Sequence, residues 1–487
     1  MKKRTLQSLL VLVLAVAALA GAFLLFNSRK SDAYMQVVPK DARVVGRMDL
    51  KALMKSVELD AEEVSSALQL RSADEVAHLG IDLTRPFVGF LARGDYMGFA
   101  ACVSNDAELT ETCRKWQANG VCGEVKTQRG YSWAVVADQW LLAFNTKKAL
   151  LMGPAVGESQ TQLMGDMFRY LEQKEEESGV EMPIFKALQD MDAPMAMAAN
   201  SRAMSSFGGD ALREKLGVRE ANDLIMKLGL NISPKSMELE AELEAGTEKV
   251  EKAIETLSEG FGKIGGALAA QTSRGSIAWA CANIDGEKVL GLMRSGETLR
   301  TLLLMMNLAV DVDMIIKAVH GDVAIELNSQ EDYRLGQIPA MRLTAELENT
   351  DFLKNADYWI ESARERGGVQ LVADSPNDFC LSYAGTEAWF GTKDNLLYVT
   401  NDRSMITPTG KGWIEANSKE IKGKRLYVTL DVQGAKRSLA SFMDIVGDMP
   451  LERLTLEADD IDEWKLTITG DVKKLLTIEH WLRAANN

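Results

Sequence analysis

The residues most suggestive of chemistry are Gly260-Phe261-Gly262-Lys263-Ile264-Gly265, which carry the G-x-G-x-x-G spacing of a dinucleotide loop. That chemistry needs the glycines to follow a strand and open a helix, so that backbone amides point at a pyrophosphate. Here Lys249 to Glu259, KVEKAIETLSE, precedes them and reads as an amphipathic helix. The segment is therefore read as a linker, and no P-loop pattern occurs. The three histidines, His78, His320 and His480, are far apart and form no H-E-x-x-H, which argues against a histidine metal site. Gly130-Tyr131-Ser132-Trp133-Ala134 is the nearest approach to a nucleophile elbow, but it falls in a predicted hairpin. Asp459, Asp460, Asp462 and Glu463 lack the glycine turn of a calcium loop and read as a solvated turn before a strand at 464–469.

Five cysteines, Cys102, Cys113, Cys122, Cys281 and Cys380, leave at least one thiol unpaired. Cys102 and Cys122 flank one helix on candidate strands and are a candidate disulfide. The plainer reading makes all five small buried hydrophobes. No Cys-x-x-Cys occurs, so neither a redox motif nor a zinc knuckle is indicated. Ten of the 23 methionines lie between Met152 and Met237, either filling a core or lining a binding groove. No catalytic, cofactor-binding or metal-ligating residue is assigned, no cofactor is expected, and the ligand-binding residues are left open.

The elements that would position a site recur along the chain. Asp41 to Leu53, DARVVGRMDLKAL, realigns without a gap on Asp192 to Met204, DAPMAMAANSRAM. Looser copies follow at Ser276 to Leu290 and Arg425 to Leu439. Each reads as a strand, a polar cap and a helix, the cap side chain accepting the free amides of the first turn. Asp49, Asn105, Asn145, Asn200, Asn283, Asn349, Asn401 and Asp431 are the predicted caps. Phe87 to Ala92 with Met97 to Val103, and Ser132 to Ala137 with Trp140 to Phe144, read as hairpins. Asn145 is expected to open a helix over 147–152. Asp138 to Leu150 aligns ungapped with Asp394 to Ile406, and the element order of roughly 34–262 returns in roughly 274–487. This is read as an internal duplication.

The expected fold is α+β, with antiparallel sheets carrying packed helices. The expected division is 1–33 signal anchor and spacer, 34–262 first half, 263–273 glycine-rich linker and 274–487 second half. Leu299 to Val319, Met-rich and apolar, is expected as a helix docked between modules.

The N-terminus reads as an export signal. Met1-Lys2-Lys3-Arg4 is basic, and Leu9 to Phe26 is an uncharged run of 18 residues, longer than an ordinary signal peptide core. An uncleaved anchor is favoured, with cleavage at Ala18-Leu19-Ala20 as the alternative. The positive end would stay in the cytoplasm and the body would lie in the periplasm. No cysteine precedes Cys102, so a lipoprotein anchor is not expected. The whole chain carries −15, and residues 34–487 carry 50 bases against 69 acids. Such a body is repelled by phosphate backbones and anionic lipid heads. Nucleic acid is thus not an expected partner, and membrane contact is expected only through the N-terminal helix.

VVPKDARVVGRMDLKALMKS near the start of an exported chain, with the later NIDGEKVLGLM, resembles domain-of-unknown-function family 4836, exported proteins of Bacteroidetes. The resemblance covers most of the body and implies no activity or functional residues. Members often carry a lipoprotein cysteine, which this chain lacks. Two function classes stand at this point. One is a non-enzymatic envelope protein whose sheets bind a protein or another envelope component. The other is an exported hydrolase using two carboxylates about 5–10 Å apart in a cleft.

Overall fold

The computed structural model describes residues 32–58, 78–92, 94–204, 210–295, 300, 310–329, 339–366, 369–383, 385–407, 412–438 and 450–476. The expected anchor over Leu9 to Phe26, His480, and residues 299 and 301–309 of the Met-rich stretch lie outside them. Among the described residues no helix is long and apolar enough to cross a membrane. Contacts divide the chain into two compact units, Met1–Val250 with Asp471–Asn487, and Glu251–Gly470.

Unit 1 holds β1 (Val44–Met48), β2 (Phe87–Leu91), β3 (Met97–Cys102), β4 (Lys126–Gln128), β5 (Tyr131–Val136), β6 (Trp140–Phe144), β7 (Lys148–Gly153), β8 (Met195–Asn200), β9 (Leu224–Ile232) and β10 (Ser236–Ala245). They pair in the order β4-β5-β6-β7-β3-β2-β1-β8-β9-β10, antiparallel throughout. Its helices include α1 (Leu50–Val57), α2 (Asp106–Ala118), α3 (Glu158–Glu172) and α4 (Pro183–Gln189). On one sheet face α3 sets Leu163, Met167, Phe168, Tyr170 and Leu171 into the core, and α4 adds Ile184, Phe185, Ala187 and Leu188. On the other face α2 sets Leu109 and Cys113 over Trp140, Leu142, Phe144 and Leu151. Covered on both sides, β6 is buried at every position, as an apolar run without alternation should be. The C-terminal residues from Asp471 also join this unit: Val472 is fully buried against Val57 and Ile232, and its amide donates to the Pro234 carbonyl at 3.0 Å.

Unit 2 holds β11 (Phe261–Gly262), β12 (Ser276–Asp285), β13 (Val319–Asn328), β14 (Ala340–Leu347), β15 (Val369–Ser375), β16 (Asp378–Tyr383), β17 (Thr386–Lys393), β18 (Leu396–Thr400), β19 (Leu426–Asp431), β20 (Leu451–Ala458) and β21 (Glu463–Gly470). Its order is β15-β16-β17-β18-β14-β13-β12-β19-β20-β21, again antiparallel, with β11 beside the end of β12. Taken in chain order from β1 and from β12, the two strand orders are the same. On this correspondence β6 matches β17, whereas the ungapped sequence match laid it on β18. Short helices at Trp413–Ala416 and Ser418–Ile421 and a 3-10 turn at Ala267–Gln271 close one face over Trp279, Cys281, Ala324 and Tyr427. The helix Ala356–Arg366 closes the other, with Trp359 stacked on Phe352.

The local signals resolve residue by residue. Asp49 accepts from the Ala52 amide at 2.9 Å, Asn105 caps α2, and Asp431 accepts from Gly434 at 3.0 Å. The expected 132–144 hairpin forms as β5–β6, and the charged helix runs Glu248–Ser258. Asn145 does not open a helix. Its carboxamide oxygen takes the Lys147 and Lys148 amides at 2.9 and 3.0 Å, but the turn returns the chain as β7. The reason is tertiary: Ala149 to Met152 pair with β3 on one edge and β6 on the other, and are buried throughout. Two other caps are shifted. Asp285, not Asn283, accepts from Lys288 at 3.1 Å, and Asp402, not Asn401, accepts from Ser404 at 2.9 Å. Asn401 instead ties β18 to Met341 and Pro339.

Candidate functional site

The glycine-rich segment is packed into unit 2 rather than opened toward a ligand. The Gly265 amide donates to both Asp322 carboxylate oxygens at 3.0 Å, and Gly266 donates at 2.9 Å. Asn283 Nδ2 adds a bond at 2.9 Å, so the fully buried Asp322 fills the place an anion would take. At Gly262 an added Cβ would come within 2.2 Å of Asn283 Oδ1, so a side chain there would displace the Asn283 carboxamide. His78 is exposed beside Glu108, and His320 is exposed on β13. Two acids of the turn that leads into β21 are paired locally: Lys424 Nζ reaches Asp459 at 2.9 Å, and Arg425 Nη2 reaches Asp460 at 3.3 Å. Among the described residues no three His, Cys, Asp or Glu side chains are placed to hold a metal.

Cys102 and Cys122 do not meet as the sequence suggested. The β3 strand turns Cys102 toward the α3 face, while Cys122 lies under α2 on the opposite face. Cys122 instead shares the α2-side cluster with Cys113, and no disulfide links the five cysteines. Burial, and then the charges of Asp322 and Glu346, push the Cys281 thiol up, so it remains protonated and unreactive.

The methionines divide between two roles. Met152, Met167 and Met204 are buried core, with Met164, Met182 and Met191 packed at its margin. Met195, Met197 and Met226 are half-buried on the opposite face, beside Leu228 and Leu230 of β9.

A recess of about 490 Å³ lies in unit 1 between the start of β1, the β2–β3 turn and α3. Its walls are Asp41, Tyr96, Gln162, Asp166, Arg169 and Tyr170, with Gly94 at the rim. The α3 helix builds one wall by periodicity: Gln162, Asp166 and Arg169 share one face, while Leu163, Met167 and Tyr170 point into the core. A Ser159 hydroxyl bond to the Val156 carbonyl at 2.7 Å and Gln160 bonds to Asp138 and Ala155 fix its first turn. The β2–β3 turn needs left-handed backbone at Gly94 (φ 81°) and Asp95 (φ 63°). An Arg43–Asp95 ion pair holds that turn beside β1.

Arg169 dominates the electrostatics. Its Nη2 lies 2.7 Å from Asp166 Oδ1 and 3.4 Å from the Tyr170 hydroxyl, and its guanidinium stands 5.0 Å over the Tyr170 ring. Burial, and then the Asp41 charge, push the Tyr170 phenol up, with Arg169 opposing. Tyr170 therefore stays protonated at neutral pH, a donor with an aromatic face. A guanidinium between two carboxylates and two phenols can grip a small polar ligand by charge-assisted hydrogen bonds and stacking. The lining has no thiol, imidazole, amine or aliphatic hydroxyl. A glycosidase pair would need one carboxyl kept protonated by an apolar surround. Asp41 is exposed, and Asp166 is engaged by Arg169. Sequence reasoning missed this recess because its groups come from segments more than a hundred residues apart, and nothing local marks Arg169.

A family model described as "Domain of unknown function (DUF4836)" matches residues 34–439. Crystal forms IV and I of a protein called TP0453 share 11% and 12% identity with the chain. The alignments cover 43% of this chain and 79% and 76% of that one, with TM-scores of 0.26 and 0.23, below the level of a shared fold. No curated protein sequence matches the chain.

Proposed function

The chain belongs to the DUF4836 family, and from that premise we propose a non-enzymatic binding or structural protein of the cell envelope. In this reading residues 9–26 hold it in the cytoplasmic membrane, and the body lies in the periplasm, where it meets its partner through unit 1. The same reading takes the two units as products of a duplication, supported by their common strand order. The observation that carries the binding role is the Arg169 recess, an open concavity where a cation, two carboxylates and two phenols converge without a nucleophile. Its chemistry suits a polar, hydroxyl-bearing or carboxyl-bearing group of an envelope component or partner protein.

The test is binding of the detergent-solubilised full chain to arrays of envelope glycans and peptides. Losing a charged hydrogen-bond partner costs about 1.5–3 kcal/mol, so Arg169→Ala should weaken a true ligand on the order of ten- to a hundredfold. The alternative, a carboxylate-dependent hydrolase, draws on Asp41 and Asp166 lining one recess. Turnover of a glycan, peptide or ester, abolished by Asp41→Asn or Asp166→Asn with the fold unchanged, would replace the binding role with that one.

A further inference from the structure

We propose that the ligand of the Arg169 recess is dipolar: it brings an ammonium group to Asp41 and a carboxylate to Arg169 and Tyr170, as an amino acid or short peptide with both ends free does. The assignment rests on the binding role of the recess and adds the class of ligand. Among the described residues the walls carry one cation, Arg169, and two carboxylates, Asp41 and Asp166. Arg169 Nη2 is 2.7 Å from Asp166 Oδ1, so those two charges match each other within α3. The Asp41 charge is left over. Lys40 and Arg43 flank it in sequence, but neither is among the walls, and Arg43 is paired with Asp95.

That remainder sorts ligands by charge. A pure anion would meet Arg169, but it would face two carboxylates around a single cation. A neutral ligand would cover Asp41 and displace its water without supplying a partner, which is costly for a charge. A pure cation would satisfy Asp41 but stand against Arg169. A group carrying both charges answers both walls, its ammonium donating to Asp41 and its carboxylate accepting from the guanidinium and the phenol. The body as a whole works the same way: 50 bases against 69 acids over residues 34–487 disfavour a ligand of net negative charge.

The groups are held in place without a ligand. Asp41 lies in the turn that the Ala42 amide closes on the Pro39 carbonyl at 3.1 Å, and Ala42 is buried. Tyr170 is 4% exposed, and its ring meets Phe90 edge-on at 6.1 Å between centroids. Its oxygen accepts from Arg169 at 3.4 Å, which leaves its own O–H to donate. Gln162, on the same face of α3 as Asp166, offers both an amide donor and a carbonyl acceptor. A volume of about 490 Å³ lies within the range of small-molecule sites, about 300–1,000 Å³.

The test is calorimetric titration of the detergent-solubilised full chain with alanyl-alanine in four forms: both ends free, amine acetylated, carboxyl amidated, and both blocked. The free form should bind tightest, and either block should weaken it about tenfold or more. Asp41→Asn should bring the free dipeptide down to the level of the acetylated one without weakening the acetylated one itself. Arg169→Ala should bring it down to the level of the amidated one. An acetylated form that binds as tightly as the free one, or Asp41→Asn that binds the free one as wild type does, would overturn the dipolar assignment. If Arg169→Ala still weakens that binding, the binding role of the recess stands. Free-dipeptide binding that survives Arg169→Ala would move the ligand elsewhere and overturn both. No binding of any form overturns the assignment and leaves the recess to the glycan and peptide arrays. The four forms on the wild-type chain decide this even if a variant fails to fold.

Discussion

Across β8, β1, β2, β3 and β7 of unit 1, one helix-facing row reads Ala198, Val45, Phe90, Gly98 and Met152. Across the matching strands β19, β12, β13, β14 and β18 of unit 2, a row reads Thr429, Trp279, Glu326, Arg342 and Thr400. The first is apolar, and Phe90 lies so close over Gly98 that an added Cβ would fall 2.2 Å from the ring. The second is buried just as deeply, with Glu326 at 2% and Arg342 at 5% exposure. The difference follows the cover. Unit 1 spends the connection between β7 and β8 on α3 and α4, which supply a full layer of apolar side chains. Among the described residues unit 2 has only short helices between β18 and β19, and long charged side chains occupy the space. Those charges are tolerated because they are matched. Arg342 Nη2 meets Glu326 Oε2 at 2.9 Å and donates also to the Gln271 carbonyl, while Nη1 reaches the Met405 carbonyl at 3.3 Å. Ser273 donates its amide to Glu326 Oε1 at 2.8 Å. One strand order can therefore be closed by oil or by a buried ion pair, and the length of the connection goes with the choice.

The largest expected effect breaks that match. Glu326→Ala or Arg342→Ala alone should cost about 3–5 kcal/mol, because each leaves an uncompensated buried charge. The double change Glu326→Leu with Arg342→Met should recover most of it, since a packed apolar pair needs no partner. In unit 1 no rescue of that kind exists: Phe90→Ala should cost about 3–5 kcal/mol as a cavity, whatever is done to Met152. Denaturant melts followed by tryptophan fluorescence measure all four. A double variant no more stable than the worse single one would show that the pair is not a substitute for apolar filling.

How much of this contrast was readable in sequence depends on reach. Asp49, Asn105 and the 87–103 hairpin were legible because cap and turn chemistry acts within a few residues. The antiparallel α+β class followed from those same local units. The strand at 148–153 was not, since an apolar run after an Asn turn fits a helix or a doubly covered strand equally, and only β3 decides. β13 was illegible for a sharper reason. Its alternation would turn Val323, Ile325 and Leu327 inward, yet Asp322, Ala324 and Glu326 face the core and Ile325 is left 43% exposed. Partners on β12 and β14 make the charged face the buried one. The recess was hidden likewise, because it is a choice among distant segments.

A middle-sized effect separates two asparagine-type turns that look alike in sequence. Asp49→Ala removes the side-chain N-cap of α1 and should cost about 0.5–2 kcal/mol. Asn145→Ala should cost less, at about 0.5–1.5 kcal/mol for net hydrogen bonds, because β7 stays paired on both edges. Equal losses in urea melts would mean that Asn145 nucleates structure rather than closing a turn.

The smallest effect distinguishes the turns at the sheet ends. In unit 1 the β9–β10 turn holds no carboxylate: the Ser233 amide donates to the Ser236 carbonyl at 2.7 Å, and the two hydroxyls meet at 2.8 Å. In unit 2 the β20–β21 turn gathers Asp459 and Asp460 against Lys424 and Arg425. Burial works against the Asp460 charge, but the Ile461 amide at 2.8 Å and Arg425 outweigh it and hold the carboxyl below its usual range. A carboxylate whose folded pKa is depressed adds stability above the unfolded value of about 3.9 and loses it as pH falls through the folded one. The contribution is small, since Asp460 is 41% exposed and the pair is screened, so about 0–1 kcal/mol is expected at neutral pH. Asp460→Asn should therefore lower the urea midpoint of unit 2 slightly at pH 7, close that gap below about pH 4, and shrink it further in high salt. Ser233→Ala in unit 1 should show no such pH or salt dependence. An Asp460→Asn chain with the wild-type acid slope would show that the charge sensitivity of unit 2 does not rest on Asp460.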